Sequence, residues 1–226
     1  MVAAVIDYCR ILYPIDLVYD QKVVLANLDP THMTAKTDLL DILATKNRGL
    51  TASDSEKQSI ETLITRTEAF NPTPNPVECP ALLNGDWRLV YTTSSSLLNL
   101  GRIPLSQLGN IYQSIRIDTS SVYNIAEVNS LPYLSSLVSV VAKFVPVNAQ
   151  RVQVNFVRSI AGLQKMLDYR SPTTWIDRLN SGKGLPAIDF PINSTNADSW
   201  LDTTYLDETM RISRGNQGSV FVLLKD

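Results

Sequence analysis

A single histidine, His32, two cysteines at 9 and 79, and scattered serines are the obvious nucleophiles and bases in this 226-residue chain. Catalysis needs a nucleophile, a base and a charge stabiliser in one place. The serines of Ser94-Ser95-Ser96 lie in no Gly-x-Ser-x-Gly elbow, and no base accompanies them. One histidine argues against His-rich metal sites and Ser–His triads, and His32, in "DPTHMTAK", reads as a solvated loop residue. "NSGKGLP" at 180–186 lacks the spacing of a phosphate-binding loop and reads as a turn. Asp207-Glu208 is an acid pair, but neighbours on a strand face opposite sides and cannot act on one atom. The residue types therefore point away from an enzyme, and no cofactor or metal site is expected.

The bulk properties narrow the remaining classes. At 44% hydrophobic and 19% charged residues the chain can bury a substantial core. A net charge of −2 without a basic stripe argues against nucleic acid as a partner. Cys9 and Cys79 are too sparse for a disulfide framework and read as thiols in a reducing compartment. Asp7 interrupts the apolar N-terminus, and Asp7, Asp16 and Asp20 are foreign to a transit sequence, so neither a signal nor a transit peptide is expected. "VNSLPYLSSLVSVVA" at 128–142 is too short, too polar and too Pro-broken for a transmembrane helix.

Two kinds of element must position whatever the chain binds. Residues 37–70 carry helical periodicity: Leu39, Leu40, Ile42 and Leu43 form one stripe, and Ile60, Leu63, Ile64 and Phe70 a second. Ser53 and Glu56 have capping-box spacing, and Gly49 is placed to end the first helix. "NPTPNP" at 71–76 begins an extended linker. From residue 82 the period becomes two, with strands expected at 87–93, 111–118, 122–128, 137–145, 152–158, 205–213 and 219–224, and another around Ile188–Phe190. Asp118–Ser121 and Gly215–Gly218 read as hairpin turns. The pattern predicts a mainly β protein with an N-terminal helical hairpin, either an antiparallel β-barrel or a β-sandwich. Residues 171–200 form the least regular stretch, a lid or a crossover packed on the sheet. The strand "SVFVLLKD" is apolar on both faces, as a strand between a barrel interior and covering helices would be.

"LLNGDWRLVYTTSS" and "TTYLDETMRISRGNQGSVFVLL", in that order, resemble the plastid lipid-associated protein/fibrillin family. "KNRGLTAS", "FNPTPNPVECPALLNG" and "VYNIAEVNS" extend the resemblance from about Lys36 to Leu224. It implies a lipocalin-like barrel over 82–224, within a family domain of 36–226 comprising the helical hairpin 37–70 and the linker 71–80. Within the 1–35 N-terminal extension, residues 1–30 match nothing in the family and do not read as a transit peptide, which favours a cyanobacterial member, or a start nearer Met33, over a plant precursor. The family implies non-enzymatic binding or organisation of carotenoids, prenylquinones or fatty acids at the periphery of thylakoids or lipid globules, on the stromal or cytoplasmic side. It also implies protein partners in prenyl-lipid synthesis, or a coating role on lipid particles without a filled cavity. Gly85, Asp86 and Trp87 fall on the lipocalin Gly-x-Trp signature; Tyr205, Leu206, Asp207, Arg211, Arg214 and Gly215 fall on the C-terminal motif. Gly85, Trp87, Arg211 and Arg214 are thus expected at the barrel floor, with one of the two arginines over the Trp87 ring. Leu89, Tyr91, Val152, Val154, Phe156, Met210 and Ile212 are the cavity-lining candidates, with their inward or outward parity open, and a ligand would enter near 94–110 or 171–200.

Overall fold

A computed structural model describes residues 30–99, 105–131, 133–192 and 199–226. Expectations for residues 1–29, including Cys9, for the His32 side chain, and for 100–104 and 193–198 of the two ligand-access segments lie outside the described residues.

Ser53 caps α2 (Asp54–Glu68) through a reciprocal capping box: its hydroxyl accepts from the Glu56 N–H, and the Glu56 carboxylate accepts from the Ser53 N–H. α1 (Pro30–Leu43) precedes it, beginning earlier than its periodicity suggests, and the two helices stack as a hairpin. Gly49 is not the C-cap of α1. It lies six residues beyond that helix, at φ 103°, where a Cβ would stand 2.8 Å from the Thr92 carbonyl oxygen. Its requirement is close approach to the sheet.

The proline linker is docked rather than extended. A 3-10 turn (Pro76–Glu78) runs into a short helix, α3 (Pro80–Leu83), each with proline in its first turn, where a missing N–H costs nothing. The Asn71 side-chain oxygen accepts from the N–H groups of Thr73 and Leu206, pinning the linker to the sheet.

The strands are β1 (Gly85–Thr92), β2 (Gln107–Arg116), β3 (Ser121–Asn129), β4 (Ser136–Pro146), β5 (Arg151–Leu163), β6 (Ile188–Pro191), β7 (Trp200–Leu206), β8 (Met210–Gly215) and β9 (Val220–Lys225). A short helix, α4 (Ser95–Asn99), follows β1. The expected strand 205–213 is two strands joined by a turn at Asp207–Thr209. The Asp207 carboxylate accepts from the N–H groups of Thr209 and Met210 there, at 2.8 and 2.7 Å. Asp207 and Glu208 are therefore turn residues.

All pairings are antiparallel in the order β4-β3-β2-β1-β9-β8-β7-β5, and β5 returns to pair β4. The sheet is an eight-stranded closed barrel, not a sandwich. Its seam is thin: β5 meets β7 only from Arg151↔Asp202 to Gln153↔Trp200, and β6 occupies the farther part of that edge.

The stretch after β5 contains a helix that the periodicity does not predict, α5 (Pro172–Asn180). Ser171 caps it reciprocally with Thr174, and Pro172 takes its first position. Trp175, Ile176 and Leu179 bury themselves on the outer face of β2–β5, against Tyr123, Ile125 and Ile160. Opposite, the α1–α2 hairpin covers the outer face of β1, β7, β8 and β9. Among the described residues no helix is long and apolar enough to cross a membrane.

Candidate ligand-binding lumen

Strand register decides which side chains face the barrel interior. Trp87, Leu89, Ile111, Ile115, Ala126, Leu206 and Leu223 form one inward cluster. Leu83 closes it from α3, accepting the Trp87 indole N–H on its carbonyl at 2.8 Å. Facing residues on paired strands share a side, so Val138 and Val140 of β4, opposite Ala126 and Asn124, also point inward. Val154 and Phe156 of β5 do likewise, opposite Phe144 and Ala142.

Three cavity candidates lie on the other side. Tyr91, Met210 and Ile212 are buried outside the barrel, against Leu39, Leu43, Ile60 and Ile64 of the helical hairpin. For Tyr91 the cause is a bulge between Leu89 and Tyr91, which shifts parity by one residue. For β8 the cause is that Met210, Arg211, Ile212 and Ser213 are all buried, so the pattern carries no inward signal. The inward residues are the polar ones, Arg211 and Ser213, which face Leu223 and Phe221 of β9. Of the remaining candidates, Leu89 packs in the lumen beside Trp87, and Val152, Val154 and Phe156 line it.

The two walls of the lumen differ. On the β1–β9–β8 side Trp87, Leu89, Leu223 and Arg211 are buried. On the β4–β5 side Val138, Val140, Val152, Val154 and Phe156 all face inward but are only half-buried, as are Gln113 and Asn124 between the two walls. Inward-facing side chains in a filled barrel would be sealed. Here an apolar wall remains accessible, and it runs on into β6, whose Ile188 and Phe190 share its face and are 70% and 49% exposed.

The closed end is built around Trp87, fully buried, at the start of β1. Gly85, at φ 131°, turns the chain from α3 into the strand. The Arg211 guanidinium carbon lies 5.2 Å from the Trp87 ring centroid, and the Lys225 ammonium lies 5.1 Å from it. Arg211 donates to the Gln113 side-chain oxygen, and Gln113 donates in turn to Asn124 at 3.1 Å. Its Nε is buried without a partner, and among the described residues no carboxylate pairs with it. Burial pushes its pKa down to about 9. Arg214 is elsewhere, outside the barrel, bonded at 2.8 Å to Glu68 and Glu61 of α2. It straps the hairpin to β8, and its hydrogen bonds to Glu68 hold its pKa well above the usual arginine value.

The opposite end of the barrel carries an apolar rim. Leu105, Leu131, Tyr133, Leu134 and Met166 are 83%, 55%, 73%, 52% and 54% exposed. The two most exposed, Leu105 and Tyr133, sit at φ 61° and 71°, strained for residues with a side chain. Composition alone could not have shown this rim, because scattered apolar loop residues are ordinary.

The family model PAP_fibrillin matches residues 33–224. The chain is 38% identical to "Light-induced protein, chloroplastic" of Solanum tuberosum, over an alignment taking in 84% of this chain and 67% of that one. It is 35% identical to "Plastid-lipid-associated protein, chloroplastic" of Citrus unshiu, with the same coverage. It is 34% identical to "Chromoplast-specific carotenoid-associated protein, chromoplastic" of Cucumis sativus, over 88% of this chain and 70% of that one. No solved structure is significantly similar. A closed lipocalin-like barrel with Trp87 at its floor, and a family match from the helical hairpin to β9, lead to one assignment: the chain belongs to the PAP/fibrillin family.

Proposed function

We propose that this protein binds an apolar molecule along the accessible β4–β5–β6 wall, without catalysis, and exchanges it with a lipid surface through the apolar rim. The observation that carries this reading is the half-buried state of the inward-facing Val138, Val140, Val154 and Phe156. A concave, mostly apolar surface with a few polar groups, here Gln113 and Asn124, is the usual form of a small-molecule site. The ligand class is a carotenoid, prenylquinone or fatty acid, in keeping with relatives named for plastid lipids and carotenoid association. The setting is the periphery of a thylakoid or lipid globule, where the rim supplies contact without a spanning segment.

The test is mass spectrometry of an organic extract from protein purified from its native source, beside a Val140→Trp variant that fills the lumen. One apolar ligand per chain, absent from the folded variant, is the expected result. An empty protein that still floats with liposomes would overturn lumen binding. It would favour a second reading, a coat on lipid particles, for which the exposed Leu105 and Tyr133 speak.

A further inference from the structure

A cavity lies outside the barrel, between the end of α1 and the outer face of β1 and β9. It measures about 310 Å³, with apolar walls of Leu40, Leu43, Val90 and Leu224. Arg48 and Arg88 also line it. The chain bends sharply to place the first. Asn47 and Arg48 occupy the left-handed region in succession, at φ 42° and 59°, a conformation that Asn tolerates and that is unfavourable for the long Arg48 side chain. It is held because Arg48 bridges Tyr91 and its carbonyl accepts from the Thr92 N–H at 3.1 Å. Strain retained in this way, over a cavity, is grounds for seeking a function.

The electrostatics of the cavity are incomplete. Arg48 donates to the Leu108 carbonyl at 2.6 Å and to the Asn47 side-chain oxygen at 2.7 Å, both neutral. Its Nε is sealed from water without a partner. Arg88 pairs loosely with Asp226, at 3.5 Å. Glu127 lies near enough to favour the charged Arg48, but its oxygens are engaged by the Tyr169 hydroxyl and the Asn110 N–H. Burial and the neighbouring Arg88 both push the Arg48 pKa down. Adjacent cations at the head of an apolar slot call for an anion.

We infer that this cavity binds a single-headed anionic amphiphile, a carboxylate or phosphate monoester on an aliphatic tail. The head sits between Arg48 and Arg88, and the first methylenes lie on Leu40, Leu43, Val90 and Leu224. This site lies outside the barrel, with Leu89 of β1 bordering both it and the lumen, and it does not rest on the lumen reading.

Two measurements on the full chain test it. Dodecanoate and dodecanol are titrated into the wild type, Arg88→Gln, Arg48→Gln and Arg48→Lys, with methyl NMR shifts of Leu43, Val90 and Leu224 as the local readout. Flotation uses phosphatidylcholine vesicles with and without phosphatidylglycerol. The expected result is that Arg88→Gln and Arg48→Gln weaken dodecanoate about tenfold or more and leave dodecanol unchanged, with Arg48→Lys largely retaining binding. The same arginine dependence seen only on phosphatidylglycerol vesicles, whose phosphodiester head carries two chains, would overturn the single-headed occupant and assign the arginines to a membrane surface instead. Arg88 makes one loose surface contact, so Arg88→Gln carries the test even if the Arg48 variants fail to fold. Indifference to Arg88→Gln in both arms, or parallel loss of dodecanol, would overturn the site. The lumen-filling Val140→Trp should leave the arginine-dependent binding intact, which separates this outcome from failure of the lumen reading.

Discussion

Trp87 and Arg211 sit together at the closed end of the barrel, yet their contributions to stability are of different kinds. Trp87 is fully buried and its indole N–H is satisfied by Leu83. Truncating such a residue leaves a cavity, and Trp87→Ala should cost about 3–5 kcal/mol. Arg211 gains a cation–π contact worth about 0.5–2 kcal/mol, but it is a buried cation that donates to the neutral amide of Gln113, with Lys225 near the same ring. Burial without a carboxylate offsets that gain. Arg211→Met should therefore shift stability by less than about 1 kcal/mol, in either direction. Urea denaturation of the two variants checks both, and an Arg211→Met loss as large as that of Trp87→Ala would refute the argument. Trp87 was legible in the sequence because a strand-opening Trp after Asn-Gly-Asp is a specific signal. The inward face of β8 was not legible, because burial on both sides erases alternation and a bulge reverses it at Tyr91.

Among the elements, the β7–β8 turn and the α1–α2 hairpin stabilise each other through Asp207. Its carboxylate accepts from Lys36 of α1 at 2.5 Å, from the Tyr205 hydroxyl at 2.6 Å and from two turn N–H groups. Burial alone would raise its pKa, but Lys36, Tyr205 and the backbone outweigh it and hold it below the usual range. A depressed carboxylate pKa stabilises the fold above the unfolded-state value, near pH 4, and the contribution fades as pH falls through the folded value. Asp207→Asn should cost about 1.5–3 kcal/mol at pH 7, with the gap to wild type closing below about pH 4. Urea midpoints from pH 3 to 7 measure this, and a gap independent of pH would contradict it. Gly49 gives a second case. Gly49→Ala adds a Cβ where φ is 103° and the Thr92 carbonyl is 2.8 Å away, so a loss of about 1–3 kcal/mol in the same assay is expected. The α2 capping box could be read directly from Ser53 and Glu56. The Ser171-Pro172 start of α5 carried an equally local signal, masked by the Gly- and Pro-rich residues that follow it.

At the scale of the whole molecule, the barrel is sealed at the Trp87 end and apolar at the other. A side chain entering a bilayer interface gains free energy in proportion to its buried apolar area, and no complementary pocket is needed to receive it. The triple variant Leu105→Ser, Tyr133→Ser, Leu134→Ser should lower binding to neutral vesicles about tenfold or more. Val145→Ser with Val147→Ser, 54% and 58% exposed on the β4–β5 hairpin at the other end, should leave it unchanged. Flotation of both variants is the measurement, and equal losses would show that the rim is not the lipid-facing end.

The sequence by itself determined the helical hairpin, the antiparallel strands, the floor tryptophan and the family, because caps, period-two alternation and the Gly-Asp-Trp and C-terminal motifs are local in the chain. It left barrel and sandwich open, since both bury strands on two sides. Only the tertiary structure closed β5 onto β4 and β7, turned Met210 and Ile212 out beneath the helices, and turned Arg211 in toward Trp87. Only it packed one wall of the lumen and left the other open. Register, bulges and what covers each face are set by pairings between residues far apart in the chain, and no window of sequence contains both partners.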